Sequence, residues 1–142
     1  MSMVQLDLPG ARVLDLFAGS GALGLEALSR GAAAATFVER HPAALRALAA
    51  NLAALGAGEA ATIQLADVLR VVSELAAEAY DVAFADPPYR QGLARAVAER
   101  WVEVPFARVL GVEHERDETM PPGGATRRYG STAITLYRLP DA

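Results

Sequence analysis

The chain has 142 residues, 53% of them hydrophobic, with 13 basic and 17 acidic side chains and a net charge of −4. That length buries one substantial core but leaves no room for a separate substrate domain, so a single domain over residues 1–142 is expected; no apolar run nears the ~20 residues that span a bilayer, the N-terminus lacks a signal-peptide pattern, and a cytoplasmic location is the default. Zero cysteines exclude disulfides and thiolate metal ligands, and with His41 and His114 the only histidines no metal site is expected.

In chain order, Ala11-Arg12-Val13-Leu14 reads as a buried strand that runs into Asp15-Leu16-Phe17-Ala18-Gly19-Ser20-Gly21-Ala22-Leu23-Gly24, followed by a helix over 25–30 ending at Gly31. Gly19, Gly21 and Gly24 satisfy G-x-G-x-x-G, and Glu39 closes the next apolar run, 34–38, where a ribose-binding acid belongs. A dinucleotide site is therefore one reading. Against it stands Asp15 at the mouth of the glycine turn, because a carboxylate there repels a pyrophosphate settling on a helix N-terminus. S-adenosylmethionine, a cation without phosphate, is the other reading, and acids at Asp15 and Glu39 favour it.

His41-Pro42 then opens a helix that closes at Gly56, with His41 read as a capping-region residue. Residues 61–66 form a third strand and 68–79 a helix. Asp67 between them reads as that helix's N-cap, a role that leaves lone pairs on its carboxylate for a second partner. Residues 80–85 form strand four, and 91–102 a helix with Leu93, Val97 and Trp101 on one stripe, which makes Trp101 a core residue. Residues 107–112 are strand five, 113–118 a charge run read as a solvated edge, 121–124 a loop, and 125–129 with 133–138 a final antiparallel pair. The alternation implies an α/β, three-layer Rossmann-like fold, mostly parallel, with an antiparallel C-terminal strand.

Asp86-Pro87-Pro88-Tyr89, at the end of strand four, carries the acceptor chemistry. Strand ends are where open α/β sheets keep their ligands, and the two prolines hold the Asp86 carboxylate and the neighbouring carbonyls in place. With Tyr89 as a stacking face, the set suits a planar substrate bearing an NH₂ group, such as a nucleobase. An ordinary strand exit is the plain alternative.

Asp15 to Gly31 (DLFAGSGALGLEALSRG), Phe37-Val38-Glu39, Asn51-Leu52, Asp86-Pro87-Pro88-Tyr89 with Gly92-Leu93, and Arg128-Tyr129-Gly130-Ser131-Thr132 resemble the bacterial class I methyltransferases that modify N2 of a guanine in 16S ribosomal RNA, the RsmD type. The resemblance covers nearly the whole chain. It implies the seven-strand methyltransferase sheet, S-adenosylmethionine as donor and ribosomal RNA within a small-subunit particle as partner, with a monomeric enzyme. It places Asp15, Phe17, Gly19, Ser20, Gly21, Glu39, Arg40, Asp67, Val68 and Asp86 at the donor, and Asp86, Pro87, Pro88 and Tyr89 at the acceptor amine. Adenine-N6 methyl transfer and a non-catalytic donor-binding module are the alternatives.

Family members carry a basic, arginine-bearing segment before the first strand, whereas Met1 to Gly10 leads straight into it here, so weak RNA binding is expected. All thirteen basic residues are arginine, and Arg90, Arg95, Arg127 and Arg128 are the ones placed to meet phosphates.

Overall fold

A computed structural model describes residues 2–140. After a short 3₁₀ turn, Ser2–Asp7, the chain forms β1 (Arg12–Leu16), α1 (Ala22–Ser29), β2 (Ala34–Glu39), α2 (Pro42–Ala54), β3 (Ala61–Leu65), α3 (Val68–Glu74), β4 (Tyr80–Ala85), α4 (Leu93–Glu103), β5 (Ala107–Glu115), β6 (Ala125–Tyr129) and β7 (Thr132–Arg138). All seven strands join one sheet in the order β3-β2-β1-β4-β5-β7-β6. The first five run parallel, and β7 inserts antiparallel between β5 and β6. The predicted fold class is the observed one.

Strand alternation divides the core between the two faces of the sheet. Leu14, Leu16, Ala83, Leu110 and Val112 meet Val68 and Val72 of α3 and Val97 and Trp101 of α4. Val13, Phe37, Val82 and Phe84 meet Ala27 of α1 and Leu48 and Leu52 of α2 on the other face. Trp101 is a core residue, as its helical stripe predicts: its ring N–H donates to the Ala107 carbonyl at 2.8 Å and its face lies 5.5 Å from Tyr137.

Gly24 is required by packing. A Cβ built there falls 2.3 Å from the Phe37 ring, so α1 could not lie this close to β2 with any larger residue. Gly21 combines φ +88° with a Cβ position 2.3 Å from Leu48, which leaves glycine as the residue that fits.

Several boundaries differ from the sequence reading, beginning with the first helix, which starts at Ala22 and not at residue 25. The third helix ends at Glu74, not at residue 79, because the chain must turn back into β4: Glu78 takes φ +55° and its N–H donates to the Pro105 carbonyl at 2.8 Å. Left-handed backbone at Arg90 (φ +66°) and Gly92 (φ +69°) delays the fourth helix to Leu93. The charge run is not a solvated edge at its start. Glu113, His114 and Glu115 extend β5, and His114 is buried, its ring nitrogens bonded to Thr135 Oγ1 at 2.6 Å and the Glu115 carbonyl at 2.8 Å.

Candidate functional site

The C-terminal ends of β1, β2 and β4 open onto a cleft of about 480 Å³. Phe17, Val38, Ala66 and Val68 supply apolar walls, and Glu39, Arg40, Asp67 and Asp86 supply charge, with Pro87 and Pro88 at one side. Each arrives by a local rule. Phe17 is the first residue after β1 and sits at φ +59°, a strained backbone for a bulky side chain of the kind that recurs at ligand sites. Glu39 is the last residue of β2, and Asp67 is the N-cap of α3, accepting from the Arg70 N–H at 3.2 Å.

Glu39 organises the cleft floor. Its Oε1 accepts from the Gly19 N–H at 2.8 Å, and its Oε2 from the N–H groups of Arg40 and His41 at 2.8 and 2.9 Å. Burial alone would raise its pKa; the N–H groups of His41, Gly19 and Arg40 outweigh that and hold it below the usual value. The carboxylate stays charged, and Oε1, with one donor, keeps a lone pair for a ligand hydroxyl. His41 occupies the N-cap position of α2, with Pro42 behind it at the first turn. Asn51 Nδ2 donates to the Ser20 carbonyl at 2.9 Å and pins the glycine turn from α2. Arg40 reaches across to Asp67, Nη1 to Oδ1 at 3.6 Å, so the two sequence-predicted donor residues are paired over the cleft.

Asp15 is buried. Its side chain lies inside β1 and is 1% exposed, turned toward α1 and accepting from the Gly24 N–H at 3.0 Å, and it does not line the cleft. Burial raises its pKa to about 7, helped by the charges of Asp86 and Glu39 and opposed by the Gly24 hydrogen bond. Buried and partly protonated near neutral pH, Asp15 is not the exposed anion the sequence argument assumed, which weakens the charge argument against a pyrophosphate. Gly19, Ser20 and Gly21 shape the turn and are not among the residues that line the cleft.

Asp86 is exposed at the end of β4 and, among the described residues, alone lines both the cleft and a smaller hollow on the opposite side of it. That hollow is bounded by Leu23, Phe84, Gly111, Glu113, Tyr129, Ile134 and Leu136. Glu113, read from sequence as part of a solvated run, is thus a site residue that spacing missed. Burial, and then the charge of the neighbouring Asp86, raise its pKa to about 7. Continuation of strand five beyond residue 112 was the one signal that could have found it.

Tyr89 is half-exposed, outside the cleft wall, with its hydroxyl 2.7 Å from Thr132 Oγ1 on β7. Arg90 pairs with Glu115 at 3.2 Å and Arg95 with Glu99 at 2.6 Å. Arg127 and Arg128 lie on the exposed edge strand β6. At the far end of the sheet a hollow of about 340 Å³ contains Asp7, Asp81, Arg108 and Arg138; Arg138 pairs with Asp7 at 2.7 Å and Asp81 with Arg12 at 3.3 Å, which ties the chain ends to the sheet. Among the described residues no group of His, Cys, Asp or Glu is placed to hold a metal, and no helix is long and apolar enough to cross a membrane.

Known proteins resemble this chain in both sequence and fold. The profile of the family described as "Conserved hypothetical protein 95" matches residues 1–138. The ribosomal RNA small subunit methyltransferase D of Escherichia coli K12 is 48% identical over 85 residues, covering 58% of this chain and 41% of that protein, so the match spans less than half of the relative's length. A hypothetical protein of Thermus thermophilus superposes with a TM-score of 0.81 at 33% identity, over 97% of this chain and 81% of that one. An RNA methyltransferase of Salinibacter ruber, solved with S-adenosyl-L-homocysteine, shares the fold with a TM-score of 0.73 at 13% identity, over 99% of this chain and 90% of that one.

Proposed function

The chain belongs to the RsmD-type family described as "Conserved hypothetical protein 95", and from that premise we propose that it transfers a methyl group from S-adenosylmethionine to the exocyclic N2 amine of a guanine in 16S ribosomal RNA. The observation that carries the reading is the position of Asp86: held by Pro87-Pro88 at the end of β4, it walls a cleft suited to the donor on one side and faces a hollow on the other.

The cleft fits the donor. Glu39 offers a charged acceptor for ribose hydroxyls, and Phe17, Val38, Ala66 and Val68 make an apolar slot in which Asp67 can accept from an adenine amino group. When bound, the donor supplies an electrophilic methyl on a sulfonium; the rest is work for this chain. An exocyclic amine is a poor nucleophile because its lone pair is delocalised into the ring. Asp86 and the Pro87 carbonyl would accept its two N–H bonds, favour tetrahedral nitrogen and aim the lone pair. Such orientation reaches effective molarities of about 10⁵–10⁸ M in well-held systems. Tyr89, tied through its hydroxyl to Thr132, would fix the flank on which the base rests.

The test is nucleoside mass spectrometry after incubating the purified chain with labelled S-adenosylmethionine and small-subunit particles or their RNA. N2-methylguanosine is the expected product. N6-methyladenosine would transfer the same geometry to an adenine target, and donor binding without any methylated product would leave a binding module.

A further inference from the structure

We propose that Asp86 and Glu113 act as one proton-accepting pair at the acceptor amine, with Glu113 behind Asp86 as the group that keeps the proton. The inference rests on the methyl-transfer reading and extends it to a residue that reading does not use.

Sheet register brings the two together. Ala85 of β4 lies opposite Val112 of β5, so the next residue on each strand, Asp86 and Glu113, leaves the ladder side by side. Both line the same hollow beyond the cleft, near enough for the Asp86 charge to act on the Glu113 carboxyl group. A carboxylate beside a buried carboxyl group disfavours that group's ionisation, which holds the proton on Glu113 more firmly. Among the described residues that line the hollow, no cation relieves this. Ile134 of β7 is its register partner, Leu23 of α1 and Val4 are apolar, and Tyr129 of β6 offers a neutral phenol. On its own strand Glu115 is already paired with Arg90. Arg127 faces the same side, but from β6 two strands away, about 10 Å at ordinary strand spacing.

The reaction needs such an acceptor. As the amine nitrogen forms its bond to the methyl carbon, the S–C electron pair goes to sulfur and the positive charge passes to nitrogen, which must then release one proton. Asp86, already accepting that N–H, receives it and passes it to the adjacent, ionised Glu113, whose pKa burial and the neighbouring carboxylate lift to about 7. An ordinary, solvated glutamate holds the same proton far less firmly. The route also leads away from the donor cleft, because the hollow lies on the other side of Asp86.

The experiment uses the full chain and the variants Glu113→Gln and Asp86→Asn, with melting and S-adenosylhomocysteine affinity confirming that each folds. Carbon-13 NMR titration of the carboxyl groups should show a signal titrating near pH 7 that disappears in Glu113→Gln and moves to lower pH in Asp86→Asn, while Asp15 keeps its own raised titration. Single-turnover methyl transfer should rise with pH through about 7. In Glu113→Gln it should fall on the order of 10²-fold, and the rise should vanish. A Glu113 that titrates in the ordinary carboxylate range, or a Glu113→Gln that keeps both rate and pH rise, overturns the pair while leaving the methyltransferase reading intact. Failure of the unaltered chain to methylate any nucleic acid overturns the reading, and the pair with it.

Discussion

The corner where β2 meets α2 and the corner where β4 meets β5 each carry a glutamate at the same end of one sheet, and the two are opposite kinds of acid. Glu39 is met by three backbone N–H groups, which overcome its burial and keep it ionised. Glu113 is met by another carboxyl group, which adds to its burial and keeps it protonated up to about pH 7. Residue type is the same; the partners differ. A charge that must stay fixed is surrounded by donors, and a group that must exchange a proton is placed beside a like charge.

The sharpest way to break this contrast is at Asp86. Asp86→Ala removes the acceptor for the amine and unpairs Glu113 in one step. Transfer should fall by about 10²–10⁴-fold, while S-adenosylhomocysteine affinity, measured by calorimetry, should stay within severalfold because Glu39 and Asp67 are untouched. Near-normal turnover in this variant would sink the mechanism.

Asp15 tests whether burial alone can do on the donor side what Asp86 does on the other. Its carboxyl ionises near 3.8 when unfolded but near 7 when folded. The unfolded state therefore gives up its proton first as pH rises, so stability drains away between those values and stays at its lower level above about pH 7. A difference of that size corresponds to at most about 4 kcal/mol. Asp15→Asn keeps an oxygen for the Gly24 N–H and removes the titration, so chemical denaturation from about pH 4 to 8 should show a flatter profile than the parent. An unchanged profile would mean that Asp15 is not held protonated.

Glu39→Ala should weaken S-adenosylhomocysteine binding by about 1.5–3 kcal/mol, the worth of hydrogen bonds to a charged group. Glu39→Gln should retain part of it, since an amide oxygen still accepts from Gly19. A variant that binds the donor normally would show that the glutamate serves the turn alone.

How far these features could be read from sequence follows a physical line. Strand and helix alternation, the glycine turn and Asp-Pro-Pro-Tyr were legible because each is a local pattern with a local cause, and Trp101 because its stripe has helical period. The burial of Asp15 was not legible because spacing locates a residue along the chain, whereas strand parity turns its side chain toward α1. Glu113 was hidden because a charge run looks solvated until β7 pairs with it, and that pairing joins residues distant in sequence. The end of α3 was set by the demands of β4, against a good local helix pattern.

The smallest effect lies on β6 and extends the comparison to RNA. Arg90 and Arg95 already have acidic partners, Glu115 and Glu99, while Arg127 and Arg128 stand on an exposed edge with no ion partner among the described residues. Alternation sends those two to opposite faces. Arg127 shares a row with Ile134 and Glu113 on the side of the acceptor hollow, and Arg128 lies beside His114 and Thr135 on the other. Each phosphate contact contributes about 0.7–0.9 to the slope of log K against log salt. Arg127→Ala should therefore lower that slope by about one contact's worth in filter binding to small-subunit RNA. Arg128→Ala should lower it less, because its face of the sheet turns away from Asp86. Arg95→Ala should leave it unchanged, since it frees Glu99 without removing an available cation. If Arg95 and Arg127 prove equal, RNA does not approach over the β6–β7 face, and the acceptor must reach Asp86 from the α4 side.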